Sequence, residues 1–315
     1  MYLKKPLWTE GVAEQANSNE SSPPSSLEPE SESASAAAAA TTAVEELVNS
    51  VNNQRIYREV SLALRTGLRD ACAEFSFLRL RGLRSFLQSL RSIAQSDSTI
   101  LLFCHTQSIP ELQVVPVLFQ HSLKETEDER VTSLDHIFSV EPMKITSPSS
   151  DAEVALALRV LEGCCLLHPE SSRLANKFKA IQVLMNILST RGVLEQGACL
   201  DALISITLDS SANQMDFEAC NGIEEVAELI RDKQVDENLR LKCGEFLLLL
   251  LGHLNRREMS PMPTINEDIR RLLGEEFASL IWAAAIRFGS TLDPEHKLTA
   301  LHIQACRLLK SLDMY

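Results

Sequence analysis

Cysteine and histidine are the residues with the most chemical reach in this chain, which holds eight of the first and seven of the second. Cys165 and His168 stand three apart, a spacing that puts two side chains on one helical face. A metal shared between them needs further ligands, and none follows close by in sequence. His168 also precedes Pro169 at a helix end, where a cation is favoured by the helix dipole, so capping is its expected role. Cys164 and Cys165 are neighbours and cannot bridge one another without strain. No cysteine pair has CxxC spacing, so neither a zinc site nor a disulfide framework is expected. Cys72, Cys104, Cys199, Cys220, Cys243 and Cys306 complete the set. Most of the eight fall on apolar helical faces and read as buried free thiols of a reducing compartment.

Other signatures of catalysis are missing. The chain has no GxxxxGK[ST], no GxGxxG, no HExxH and no GxSxG, and so lacks the usual phosphate cradles, zinc helices and nucleophile elbows. No carboxylate pair stands on an apolar face as an acid/base couple. Asp201, Glu218, Glu224 and Glu225 read as a solvated side. No catalytic, cofactor-binding or metal-binding residue is therefore expected, and the chain is expected not to be an enzyme.

Composition narrows the fold. Among 315 residues, 45% are AVILMFWYC but only 5% are aromatic, a Leu/Ala-rich balance that favours helices over sheets. The net charge of −13 argues against nucleic-acid partners. The charge is uneven: Met1–Ser50 holds eight Glu against two Lys, and Arg55–Arg91 holds eight Arg against three acids. No apolar run approaches the ~20 residues that span a bilayer, and the N-terminal stretch lacks the apolar segment of a secretory signal.

The elements are punctuated along the chain. Residues 1–52, Ser/Glu/Pro-rich and then poly-Ala, are expected to be a disordered tail with helix starting near Thr42. Ser22-Pro23 within it is read as plain polar linker. Residues 53–149 form an N-terminal helical region. Its basic amphipathic stretch 55–91, divided near Gly67 or Phe75–Phe77, allows a second reading as a calmodulin- or membrane-surface element. Solvated Arg heads on scaffold helices are the plainer explanation. The apolar runs Thr99–Cys104 and Leu112–Phe119 contain or adjoin Pro110 and Pro116, so short buried helices are expected rather than central strands.

Residues 150–315 form the repeat core. Long apolar helices around Leu158, Leu200 and Leu241, and amphipathic ones around Leu184 and Val226, recur every ~42 residues, as in armadillo and HEAT repeats. Ser150 with Glu153, and more weakly Asn221 with Glu224, have capping-box spacing. Pro169 should stop the first long helix, and Gly192 should cap the end of the Ile181–Thr190 helix. Ala152–Leu167 and Phe246–Leu251 are apolar nearly all round, which demands neighbours on several sides. Ser260–Pro263 breaks the chain before a helix started by Thr264 and Glu267. Asp293-Pro294 starts the last helix. The expected fold is all-α, an armadillo/HEAT-like helical solenoid with C-terminal capping helices.

Such stacks bind partners on extended surfaces. The two Trp, Trp8 and Trp282, and the Asn at 176, 186, 213 and 221 make no 42-residue ladder. An importin-like peptide groove is therefore not expected, and docking of a folded partner is.

Three stretches are specific enough to carry a resemblance: LLHPESSR at Leu166–Arg173, FExxNG at Phe217–Gly222, and KxGEFL at Lys242–Leu247. On these, roughly residues 150–255 resemble the cell division control protein 14 family of the septation initiation network. That family is distinct from the dual-specificity phosphatase that shares the name. The phosphatase loop CxxxxxR is missing, since Leu78 follows Cys72 at plus six and Leu249 follows Cys243. The resemblance implies a non-enzymatic cytoplasmic subunit that associates with a Ste20-like (germinal-centre) protein kinase, supports its activity, and acts in septation at the spindle pole or division site.

Overall fold

The computed structural model describes residues 31–124, 147–208, 210–254, 264–287 and 294–313. The described residues are helical throughout, with no strand. Ser22-Pro23, most of the charged stretch after Lys124, and the break at Ser260–Pro263 lie outside them.

Helix α1 spans Ser31–Ala71 and turns back into α2, Ser76–Ile93. The start expected near Thr42 is thus earlier, and the boundary expected at residue 52 falls inside α1. The division expected near Phe75–Phe77 is where the chain turns. Gly67 lies within α1, where a Cβ would sit 2.7 Å from the Phe86 ring. The antiparallel pair comes closest at Gly82, where a Cβ would stand 2.6 Å from the Ala71 backbone nitrogen. The apolar runs that follow are short helices. These are α3, Asp97–Gln107, and α4, Val114–Val117, which continues as a π-wound turn to Ser122.

The core begins with α5 (Asp151–Leu167), α6 (Glu170–Lys177) and α7 (Ala180–Thr190). The same long, short, medium sequence returns as α8 (Val193–Thr207), α9 (Ser211–Ala219) and α10 (Gly222–Arg231). Then come α11 (Glu237–Leu254), α12 (Ile265–Leu273), α13 (Glu275–Arg287) and α14 (Pro294–Asp313). The single helix expected after Thr264 is two, because Gly274 adopts φ 89° between them, a conformation open to glycine.

Packing follows the repeat. Helix α2 lies on α5, α5 on α8, α8 on α11, and α11 on α14. A second row runs from α7 to α10 to α12, and α6 contacts α9 between the rows. Every long helix of the first row is thus enclosed by its neighbours. Leu158, Leu161, Leu203, Leu247 and Leu251 are fully buried.

Two expected capping boxes do not form. Ser150 is the N-cap of α5 but its side chain makes no cap bond. The Glu153 carboxylate that would complete the box is taken by α2. Arg79 Nε donates to Glu153 Oε1 at 2.6 Å, and Ser76 Oγ donates to Oε2 at 2.6 Å. A buried guanidinium competes for a carboxylate far more strongly than a backbone N–H does. Asn221 caps α10 in the left-handed conformation, φ 54°, with its side chain uninvolved. Gly192 does not end α7. Arg191 is that C-cap, and Gly192 instead precedes α8 as its N-cap.

The Arg79–Glu153 pair is almost sealed, with side chains 5% and 0% exposed. Arg79 also donates to the carbonyls of Ala73, Glu74 and Ser147. It therefore ties the α1–α2 turn, the segment entering α5, and α5 itself into one joint.

Arg79→Met should destabilise the fold by about 3–5 kcal/mol, because it leaves the Glu153 charge buried without its partner. Adding Glu153→Leu should recover much of the loss in denaturant unfolding; a double variant no better than the single one would contradict this account. Leu247→Asp should abolish cooperative melting, since it buries an unpaired charge in the middle of α11.

Candidate interaction surface

The candidate chemistry of the sequence is placed as packing. Cys165 is buried, and burial pushes its thiol up to about 12. The His168 imidazole instead meets Ser171, Nδ1 to Oγ at 3.0 Å. Burial also lowers the His168 pKa, which favours the neutral ring over the capping cation expected from its helix-end position. Among the described residues, no three His, Cys, Asp or Glu side chains are grouped to hold a metal ion. A groove of about 660 Å³ beside α1 and α3 is lined by Glu46, Asn49, Asn53, Tyr57 and Leu102, among others. Ser50, Gln54 and Arg58 complete its polar lining.

The motif stretches join one repeat to the next. Phe217 is fully buried and packs on Phe246, with ring centroids 5.7 Å apart. Its ring lies where a Cβ on Gly222 would be, 2.2 Å away, so FExxNG needs glycine there for space. Asn176 donates to Asn213 at 2.9 Å and to Asp216 at 2.7 Å, and Asn213 donates to the Ser172 carbonyl. These asparagines stitch α6 to α9, a contact invisible to a search for a 42-residue ladder because the partners are offset within their repeats. The carboxylates expected on an idle solvated side also reach across. Glu225 accepts from Ser189, and Glu218 accepts from Thr264. The Thr264 hydroxyl is thereby spent on α9 and makes no cap bond for α12.

The basic stretch changes meaning as well. Arg79 is interior, Arg81 pairs with Asp70 at 2.7 Å, and Arg55 pairs with Glu59 at 2.9 Å. Arg84 and Arg91 remain as exposed cations of α2. Arg58 and Arg65 of α1 are exposed as well, so burial removes only Arg79 from the basic surface of the stretch.

The outer side of the first row carries a pattern of its own. The long helices repeat in register, so three ladders cross α5, α8 and α11. One is Arg159, Asp201 and Lys242. The next is Glu162, Ile204 and Glu245. The third is Leu166, Leu208 and Leu249. Lys242 Nζ donates to Asp201 Oδ2 at 2.5 Å, fixing α11 to α8. Burial pushes the Glu162 carboxyl up, and the nearby Asp201 charge adds to this, against Lys242 and Arg159. In the third ladder Leu166 is 41% and Leu249 40% exposed, and Leu208 is half-buried between them. At helix spacings of 8–10 Å, leucines at equivalent positions of α5, the α8 C-cap and α11 would form an apolar row about 20 Å long. The sequence itself carries this signal, because the period that aligns the buried leucines also aligns these exposed ones. Only burial separates the two sets.

This face lies wholly inside the stretch that other proteins share. Among protein families, residues 130–266 match the one described as "Cell division control protein 14, SIN component". The matched stretch takes in LLHPESSR, FExxNG and KxGEFL, so the family resemblance carried by those residues holds. Among curated proteins, "Cell division control protein 14" of Schizosaccharomyces pombe is 26% identical over 96 residues. That alignment covers 30% of this chain and 40% of the relative, so the chain spans less than half the relative's length. No solved structure matches. By its description the matched family is one of cell-division proteins, which supports a role of that kind. No helix among the described residues is long and apolar enough to cross a membrane.

Because the Glu162 pKa is raised, ionised Glu162 costs the fold stability at neutral pH. That cost disappears as pH falls from the raised value through the ordinary carboxyl range. Glu162→Gln should accordingly melt higher than the parent at neutral pH, and the gap should close on acidification. A variant that melts lower at neutral pH would show that Arg159 and Lys242 outweigh burial.

Proposed function

We propose that this chain is a non-enzymatic adaptor of armadillo-like, solenoidal build that docks and supports a Ste20-like (germinal-centre) protein kinase in cell-division signalling. It would act in the cytoplasm, at the spindle pole or division site. The observation that carries the reading is the leucine row Leu166–Leu208–Leu249 with its charged flank, set inside the family-matched stretch. Isolated exposed leucines are ordinary, but aligned ones on consecutive helices form a contiguous patch of the sort that partners cover. Regular stacking of the long helices supports the solenoidal assignment. The kinase is the partner that the family resemblance implies.

The test is co-purification of the tagged full-length chain under conditions that preserve complexes. A Ste20-like kinase should be recovered with the parent chain. Leu166→Glu with Leu249→Glu should abolish that recovery while leaving the melting temperature within a few degrees, since both side chains are already substantially exposed. Failure to recover any kinase would overturn the adaptor reading. Recovery undiminished by the two substitutions would move the docking site off this face.

A further inference from the structure

At the far end of the first row, α11 and α14 bring Glu245 together with two groups that the adaptor reading does not use. Cys306 Sγ lies 3.8 Å from His302 Nε2. The other ring nitrogen, His302 Nδ1, lies 3.3 Å from Glu245 Oε1. We propose that Cys306, His302 and Glu245 form a reactive-thiol site that undergoes reversible exchange with low-molecular-weight disulfides of the glutathione class.

The placement follows from the helices. His302 and Cys306 are one turn apart on α14, each directly after a buried residue, Leu301 and Ala305, that faces the core. They therefore border the seam with α11. There the Gly244 position faces α14: a Cβ on Gly244 would stand 3.6 Å from the Ala305 Cβ, an ordinary packing distance. The next residue, Glu245, reaches the His302 ring.

The geometry dictates the roles. An ionised carboxylate only accepts, so Nδ1 carries the hydrogen and donates to Glu245. The Nε2 lone pair is left facing Cys306, where it accepts the thiol proton. This is the nucleophile, base and orienting group of an activated thiol. The two ring nitrogens point at different partners, so the three groups do not converge on a shared metal. The site is also accessible, with the His302 side chain 58% and Glu245 27% exposed and Cys306 half-buried.

The remaining thiols lack this arrangement. Cys164, Cys165, Cys199 and Cys243 are buried, and burial pushes their thiols up, to about 12 for Cys165 and Cys243. Cys104 donates to the Leu167 carbonyl at 3.5 Å. Cys72 is exposed and Cys220 half-buried, and burial pushes both thiols up.

In the exchange, His302 takes the Cys306 proton and the thiolate attacks one sulfur of the disulfide. A new bond forms between Cys306 Sγ and that sulfur as the original S–S bond breaks. The departing thiolate receives the proton from His302, so one thiol and one disulfide are consumed and one of each is made.

Full-length protein treated with oxidised glutathione, quenched with acid and mapped peptide by peptide would test this. At about pH 7, Cys306 should form the mixed disulfide about tenfold faster in the parent than in His302→Asn. The pH dependence of that rate should differ between the two proteins. Glu245→Gln should give a smaller loss, with both variants melting like the parent because the substituted groups face solvent. Equal Cys306 rates in the parent and in His302→Asn, or a pH profile that the substitution leaves unmoved, would overturn the proposal.

Discussion

A helix that is apolar on nearly every side has to be surrounded before it can hold together in water, and α5 is the helix of this chain to which that applies most fully. Fully buried Val160, Leu161 and Cys164 mark its interior. Helix α2 closes one flank, α8 the other, and the segment around α4 packs nearby. The same demand passes to α8 and then to α11, whose own enclosure requires α13 and α14. Each helix is stable because the next one is in place, so stability propagates along the row and its ends need covering.

At the start of the row, the cover depends on charge. Arg79 and Glu153 are removed from water together, each satisfied by several further bonds. Burying two ions is expensive and is tolerated only when the geometry is good and the remaining polar atoms are paired. In return the joint sets where α2 lies on α5. An apolar contact alone would permit sliding, whereas one guanidinium reaching the carbonyls of Glu74 and Ser147 does not. The N-terminal helical region and the repeat core are thus one packed body at this joint, although their sequences look unalike.

The repeated surface follows from the same stacking. Because α5, α8 and α11 are enclosed in register, each outer position of one has a counterpart on the next. Evenly placed leucines become a row, and Asp201 meets Lys242. A partner that covered the row would touch three helices without requiring any of them to move. The thiol group at α11 and α14 stands at the edge of this face and depends on the closeness of the two helices.

Much of this was legible from residue order. The ~42-residue spacing announced the long helices, prolines ruled out central strands, and Pro169 and Pro294 marked real helix ends. Those features are local or periodic, and short-range sterics and amphipathicity enforce them within a few turns. What sequence could not decide was every choice between competing partners. Glu153 had the spacing of a capping box but went to Arg79, from 74 positions away. Thr264 went to Glu218, and Gly192 started a helix instead of ending one. Leu166 and Leu161 are the same residue type on one helix, yet only packing exposes the first and buries the second. A hydrogen bond or an apolar contact goes to whichever group tertiary structure brings nearest, and nearness between distant residues exists only once the helices have stacked.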